Sequence, residues 1–497
     1  MFSKRYLVTL LAGYSQMIVM IVISLAQVPL VLSYLGKSQF AIWALAAQAC
    51  IWLQLVDGGM NGALSRFLID YKTGSTEQLQ KCLSTGSRVL CAQGILVFLV
   101  SLILGFCGES AFGLTQSEGE VFIGLMTLLG LSAGIGFCGK VAQSWLYGAQ
   151  RLDIANIIGL VLAVLDFLIF WFLLNLDVGI KSLAISRLIV SVIGVVITWW
   201  ISVKWVGFPW SLLYNGWDKT MFHRLASFGG GMFLLTLGGL LLSMTQTAMT
   251  ARLLGLTAAA VWATAPKVFM LTQQLVCKVW DYKIPYLSQL MADGSYVQIS
   301  KEFLSLFRVV AYLAGGIGGL LAAINPSFLK LWTVGHIEWD SVNNLLMAAC
   351  SYSFLLVRCF TDFVLHTKKV GIMPLLMLIE GVLYVAACFL LMPKYGFFAM
   401  LSCSLLISGI LRLPYAWVCM RAYLGFNTPE LRRLVSITCS GAMLGLVVYF
   451  LLRQIAHYLM SYDAHHILIF QFTFAALLAL PIFIKVYLSI KNNKSNS

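Results

Sequence analysis

Apolar runs of roughly 19–28 residues follow one another along this chain, each long enough to cross a hydrocarbon layer about 30 Å thick as a helix rising about 1.5 Å per residue. Fourteen such spans are expected, at 7–34, 39–60, 89–107, 121–142, 154–176, 181–203, 226–249, 257–279, 303–324, 341–364, 371–392, 396–418, 434–452 and 466–488. In lipid only helices or closed barrels satisfy every backbone N–H and C=O, and these runs lack the ten-residue alternation of barrel strands. An all-α polytopic membrane protein follows. Composition agrees, because 60% hydrophobic and 10% charged residues over 497 positions exceed what a water-soluble core can absorb.

The chain also repeats itself. Leu35 to Ala44 reads L-G-K-S-Q-F-A-I-W-A and Leu254 to Ala263 reads L-G-L-T-A-A-A-V-W-A, a constant offset of 219 residues. Gly179-x-x-x-Leu183-x-x-Ser186 and Gly396-x-x-x-Met400-x-x-x-Ser404 echo each other at nearly the same offset. About six spans fit inside it, so the expected organisation is a six-helix lobe at 1–204, a second at 205–420, and a C-terminal helix pair with a tail at 421–497. Repeated lobes of this kind rock about a central site, which points to transport.

Basic residues orient the spans. With the N-terminus placed in the cytoplasm, only eight of the 33 Lys and Arg residues fall on the outer side: Lys37, Lys181, Arg187, Arg252, Lys267, Lys330, Lys394 and Arg453. An even number of spans returns the C-terminal Lys485, Lys491 and Lys494 to the side of Lys4 and Arg5, as the positive-inside rule requires. Both termini are therefore expected in the cytoplasm. The first apolar run is too long for a cleaved signal peptide and is read as the first helix.

The net charge of +14 is spread over many short loops without an aromatic-interleaved patch, so no nucleic-acid partner is expected. Twelve cysteines without a C-x-x-C pair suggest neither a disulfide framework nor a zinc site, and His465-His466 reads as a solvated pair, so no metal and no cofactor are expected. There is no G-x-S-x-G and no glycine-rich phosphate loop, and the outer loops are too short for a soluble active site; the reading is a transporter, not an enzyme.

Pro29 to Trp43 with Leu55 to Arg66 (L-V-D-G-G-M-N-G-A-L-S-R) resembles the opening of polysaccharide flippases in the multidrug/oligosaccharidyl-lipid/polysaccharide exporter superfamily. Gly148-Ala149-Gln150-Arg151 with Asn156, Ile284-Pro285 with Asp293-Gly294, and Leu331-Trp332 with Gly335 are similar to later turns of that family. The resemblance implies a bacterial inner-membrane flippase moving an undecaprenyl-diphosphate-linked oligosaccharide to the periplasmic leaflet. The pathways implied are O-antigen, capsule or exopolysaccharide synthesis. It further implies contact with membrane lipids, a proton or sodium ion as coupling partner, and the polysaccharide assembly machinery as neighbour. An ion-coupled multidrug antiporter of the same fold is the alternative, and a membrane polysaccharide polymerase ranks below it.

Charges at mid-depth carry the residue-level expectations, because one at a helix centre costs about 2.5–3.5 kcal/mol on insertion scales. Lys267, Asp166 and Glu380 qualify. Lys267, Gln274 and Lys278 follow at i, i+7 and i+11, within about 20° of one helical line. Thr236, Ser243, Thr247 and Thr250 repeat that spacing on the preceding span, and Gln16 and Gln27 lie eleven apart on the first. These three spans are expected to line a wet, cationic cavity, which the resemblance also implies. Its substrate contacts are Lys267, Gln274 and Lys278, with Arg187 and Arg412 ranked second because both can snorkel to the interface. Asp166 and Glu380 are the ion-coupling candidates. Asp57, near the end of the second span, and Arg66 beyond it are the gating candidates and expected partners. Arg358 and Asp362, four apart, are read as a local ion pair.

Overall fold

The computed structural model describes residues 4–72, 76–149, 151–213, 216–281, 283, 287, 290, 296–366, 371–424 and 428–458. These residues are helical apart from short turns, and no strand occurs among them. In chain order the helices are α1 (Lys4–Leu53), α2 (Met60–Lys72), α3 (Thr76–Phe112), α4 (Gln116–Gly148), α5 (Leu152–Asn175), α6 (Lys181–Lys204) and α7 (Lys219–Ser243). There follow α8 (Gln246–Leu254), α9 (Leu256–Thr264), α10 (Lys267–Asp281), α11 (Tyr296–Trp332), α12 (Ser341–His366), α13 (Met373–Leu424) and α14 (Thr428–Tyr458). Among the described residues nine stretches are long and apolar enough to cross a membrane. The chain is a multi-pass membrane protein.

Two of those stretches each hold two expected spans. Helix α1 bends at Gly36 (φ 75°, ψ 178°) and α13 at Gly396 (φ 56°, ψ −137°). The second copy of the ten-residue repeat turns in the same way, at Gly255 (φ 90°, ψ 169°) between α8 and α9. That backbone region is closed to residues bearing a Cβ, so the repeated Leu-Gly dipeptide is one turn used twice.

Two expected spans are interrupted. The one at 257–279 is split into α9 and α10 by Ala265-Pro266, because proline brings no N–H to the ladder and its ring crowds the preceding turn. The second span breaks into a 3-10 turn at Gln54–Asp57, then Gly58 and Gly59 at positive φ, before α2 carries the chain on for thirteen residues. Asp57 closes the first long apolar stretch, Ser15–Asp57, as expected of a residue near the end of the second span. The expected span at 466–488 lies outside the described residues, as does His465-His466.

By packing, the chain divides into two compact units, residues 1–260 and 261–497. The sequence repeat and this division mark different things, since α7 and α8 begin the second copy yet pack on the first unit. Trp52 Nε1 donates to Met244 O at 2.9 Å, Ala248 N donates to Gln48 Oε1 at 2.8 Å, and Gly59 lies backbone to backbone against Gly229. Glycine seams bring helices together within each unit. A Cβ on Gly94 or Gly134 would strike the other's carbonyl, joining α3 to α4. In the second unit Gly315 and Gly319 of α11 meet Gly441 and Gly445 of α14, the small-residue spacing that lets membrane helices touch. Tyr352 Oη adds a 2.7 Å bond to Thr438 O.

Candidate functional site

The break at Pro266 makes Lys267 the first residue of α10. A helix start carries N–H groups without intrahelical acceptors and the positive end of the macrodipole, so the ammonium stands where the backbone already favours an anion. Gln274 and Lys278 are exposed on the same helix; Lys267 is partly buried. Lys278 Nζ lies 3.9 Å from Asp281 Oδ2, and Gln273 Nε2 donates to Ser351 Oγ at 3.0 Å, fastening α10 to α12. Lys140, Arg187, Arg358 and Arg412 each stand within salt-bridge distance of a carboxylate. Lys267 has no such partner among the described residues.

The threonine line on the preceding span does not survive folding. Helix α7 ends at Ser243 and α8 restarts at Gln246, so the spacing is interrupted. Thr247 and Thr250 are buried, and Thr250 Oγ1 is bonded to Gln246 O at 2.7 Å. Gln16 packs over Gly159 of α5.

Asp166 and Arg187 meet across the α5–α6 hairpin, Arg187 Nε lying 3.1 Å from Asp166 Oδ2 while Ser186 Oγ donates to Oδ1 at 3.0 Å. The carboxylate is 11% exposed and the arginine 53%. Around them α1 packs on α4 and α5, and α6 on α4 and α5, forming a ring. A cavity of about 330 Å³ lies between α4, α5 and α6, with Arg187, Gln143, Ser132, Ser191 and Thr198 as its polar wall. Glu380 and Arg412 meet across the bend of α13 at 2.8 Å, both buried. From sequence both arginines are expected to snorkel to the interface; in the structure each lies beside a carboxylate instead.

Asp57 takes a partner the sequence did not nominate. Lys140 Nζ of α4 donates to Asp57 Oδ1 at 3.2 Å, whereas Arg66 lies on the exposed face of α2. Lys140 escaped notice because it falls near one end of its apolar run, where lysines ordinarily reach water. Arg358 and Asp362 do pair, at 2.9 Å, and Asp281 joins them at 3.2 Å from Arg358 Nη2. Among the described residues no group of three metal-ligating side chains occurs.

Comparison with known proteins places this geometry. The family described as "Polysaccharide biosynthesis protein" matches residues 4–291. No curated protein matches. Among solved structures, the lipid II flippase MurJ in an inward closed conformation superposes with a TM-score of 0.71 at 14% identity, covering 97% of this chain and 99% of that one. An inward-facing multidrug resistance MATE transporter of the MOP superfamily gives 0.66 at 12% identity, covering 86% and 95%. A Vibrio cholerae MATE transporter, VcmN, gives 0.60 at 15% identity, covering 86% and 99%. At such identities the shared property is the fold.

Proposed function

The chain belongs to the polysaccharide biosynthesis protein family, and we propose that it is a bacterial inner-membrane flippase carrying undecaprenyl-diphosphate-linked oligosaccharide from the cytoplasmic to the periplasmic leaflet by alternating access. The observation that carries the reading is the ammonium of Lys267 at the start of a half-helix, without a carboxylate partner among the described residues. A diphosphate brings about two negative charges into a low-dielectric passage, where an ammonium and a helix N-terminus act on the same atoms. Interrupted helices with their termini at mid-depth are the device by which transporters hold ionic cargo. Gln274 and Lys278 extend polar contact along α10 toward the cytoplasm, and Arg187 and Arg412, each beside a carboxylate, rank behind them as cargo contacts. A cationic drug would be repelled by the same lysine. No bond is made or broken.

Lys267→Ala is expected to abolish export of surface polysaccharide in a flippase-deficient host, and Lys267→Arg to retain part of it, because charge at that depth matters more than head-group shape. Membrane abundance should be unchanged, since deleting a mid-membrane charge relieves an insertion cost. Wild-type export by a normally abundant Lys267→Ala variant removes the residue from the cargo path.

A further inference from the structure

The break in the second span between Gln54 and Gly59 is held by a cluster that neither the family nor the cargo reading explains. Lys140 Nζ has three N–H groups and three acceptors: Asp57 Oδ1 at 3.2 Å, Gln54 Oε1 at 3.1 Å and the face of Phe137, whose centroid is 3.5 Å away. The other Asp57 oxygen, Oδ2, accepts from Asn61 N at 3.2 Å and caps the restart of the helix. Gln93 Nε2 donates to the Asp57 carbonyl at 3.1 Å, and its Oε1 is buried with no hydrogen-bond partner among the described residues. A carboxamide oxygen, a carboxylate oxygen and a ring face thus gather around Lys140 Nζ at the helix break. That donor set, all acceptors and one net negative charge, is the coordination a small cation takes. Lys140 and Asp57 are 17% and 16% exposed, so the cluster is sheltered yet reachable from solvent.

We propose that the Lys140 ammonium is a tethered cation filling an oxygen-and-ring cage at this break, and that the cage accepts a free primary ammonium ion once the lysine side chain is removed. The ring face and the three-acceptor geometry select a primary ammonium over a quaternary one, which has no N–H to donate. In the native protein the tether makes the bend permanent: with the cation built in, the turn at Gly58 and Gly59, and the contact of Gly59 with Gly229, do not depend on solutes. The proposal is independent of which cargo is carried.

The test uses the whole protein purified in detergent, its melting temperature followed in choline chloride and in n-propylammonium chloride at equal ionic strength. The propylammonium ion replaces the atoms removed from Cγ to Nζ. Wild type should melt alike in both salts. Lys140→Ala should melt lower than wild type in choline and recover by at least about 2 °C in n-propylammonium, because a ligand bound only to the folded state raises its stability by mass action. The double variant Lys140→Ala with Asp57→Ala should show no recovery. Equal melting of Lys140→Ala in the two salts, or the same rise in the double variant or in wild type, overturns the proposal. If Lys140→Ala cannot be isolated in choline, extraction in n-propylammonium is expected to yield it folded; failure there also overturns the proposal.

Discussion

Asp166 with Arg187 and Glu380 with Arg412 occupy hairpins that turn at Gly179 and Gly396, 217 residues apart, yet their surroundings differ. Arg187 keeps 53% of its side chain exposed beside a polar cavity, while Arg412 keeps 9% and Glu380 1%. The lesson is that one chemical device does two jobs. A sealed pair cannot exchange with solvent and serves to fix the register of two helices, because separating it strands a charge in a medium of low dielectric. A pair whose arginine is half exposed can be solvated or re-paired at small cost.

The sharpest break of this comparison is Arg412→Leu. It leaves Glu380 buried without its partner, which costs about 3–5 kcal/mol, and membrane abundance should fall severely. The double variant Arg412→Leu with Glu380→Leu should return most of that abundance, since two apolar residues fill a sealed site as well as an ion pair does. If the single variant is as abundant as wild type, the pair is not sealed in the membrane.

Arg187→Leu is the matched experiment in the first unit, with a smaller expected loss of about 1–2 kcal/mol, because Arg187 is half exposed and the Ser186 hydroxyl still serves Asp166. Pulse-chase measurement of both single variants gives the ratio directly. Equal lifetimes would erase the difference between the hairpins.

These pairs also show how far the sequence could be read. The spans, the duplication and the all-helical class are legible because lipid enforces length and hydrophobicity, and Gly36 with Gly255 could be matched because a turn closed to other residues leaves glycine at fixed spacing. The partner of each buried charge was harder to see. Glu380 and Arg412 lie sixteen residues before and after Gly396, so depth counted from the turn at about 1.5 Å per residue pairs them by arithmetic. Asp166 and Arg187 lie thirteen before and eight after Gly179; their meeting depends on helix tilt and the reach of arginine, which the sequence does not encode locally. Lys140 and Asp57 are 83 apart, and nothing in either helix announces the other. The breaks at Gln54–Asp57 and at Pro266 are of mixed legibility. A proline inside an apolar run is a visible signal, whereas a polar cluster that holds a glycine turn open is visible only when its members are brought together.

The smallest structural perturbation sharpens the comparison most. Asp166→Asn keeps the shape and the acceptor oxygen facing Ser186 and removes only the titratable charge, so the expected stability change is under about 1 kcal/mol and abundance should match wild type. Its predicted effect is on coupling: export measured against external pH and sodium should change its dependence, because Asp166 pairs with the half-exposed Arg187, which lines the cavity. Glu380→Gln removes the same kind of charge where water has no access, so it should lower abundance and leave the pH and sodium dependence of the remaining export as in wild type. The two variants together separate access from charge. If both leave ion dependence unchanged, neither carboxylate couples transport and each pair serves packing alone; if Glu380→Gln alone shifts it, the sealed site is the one that opens during the cycle.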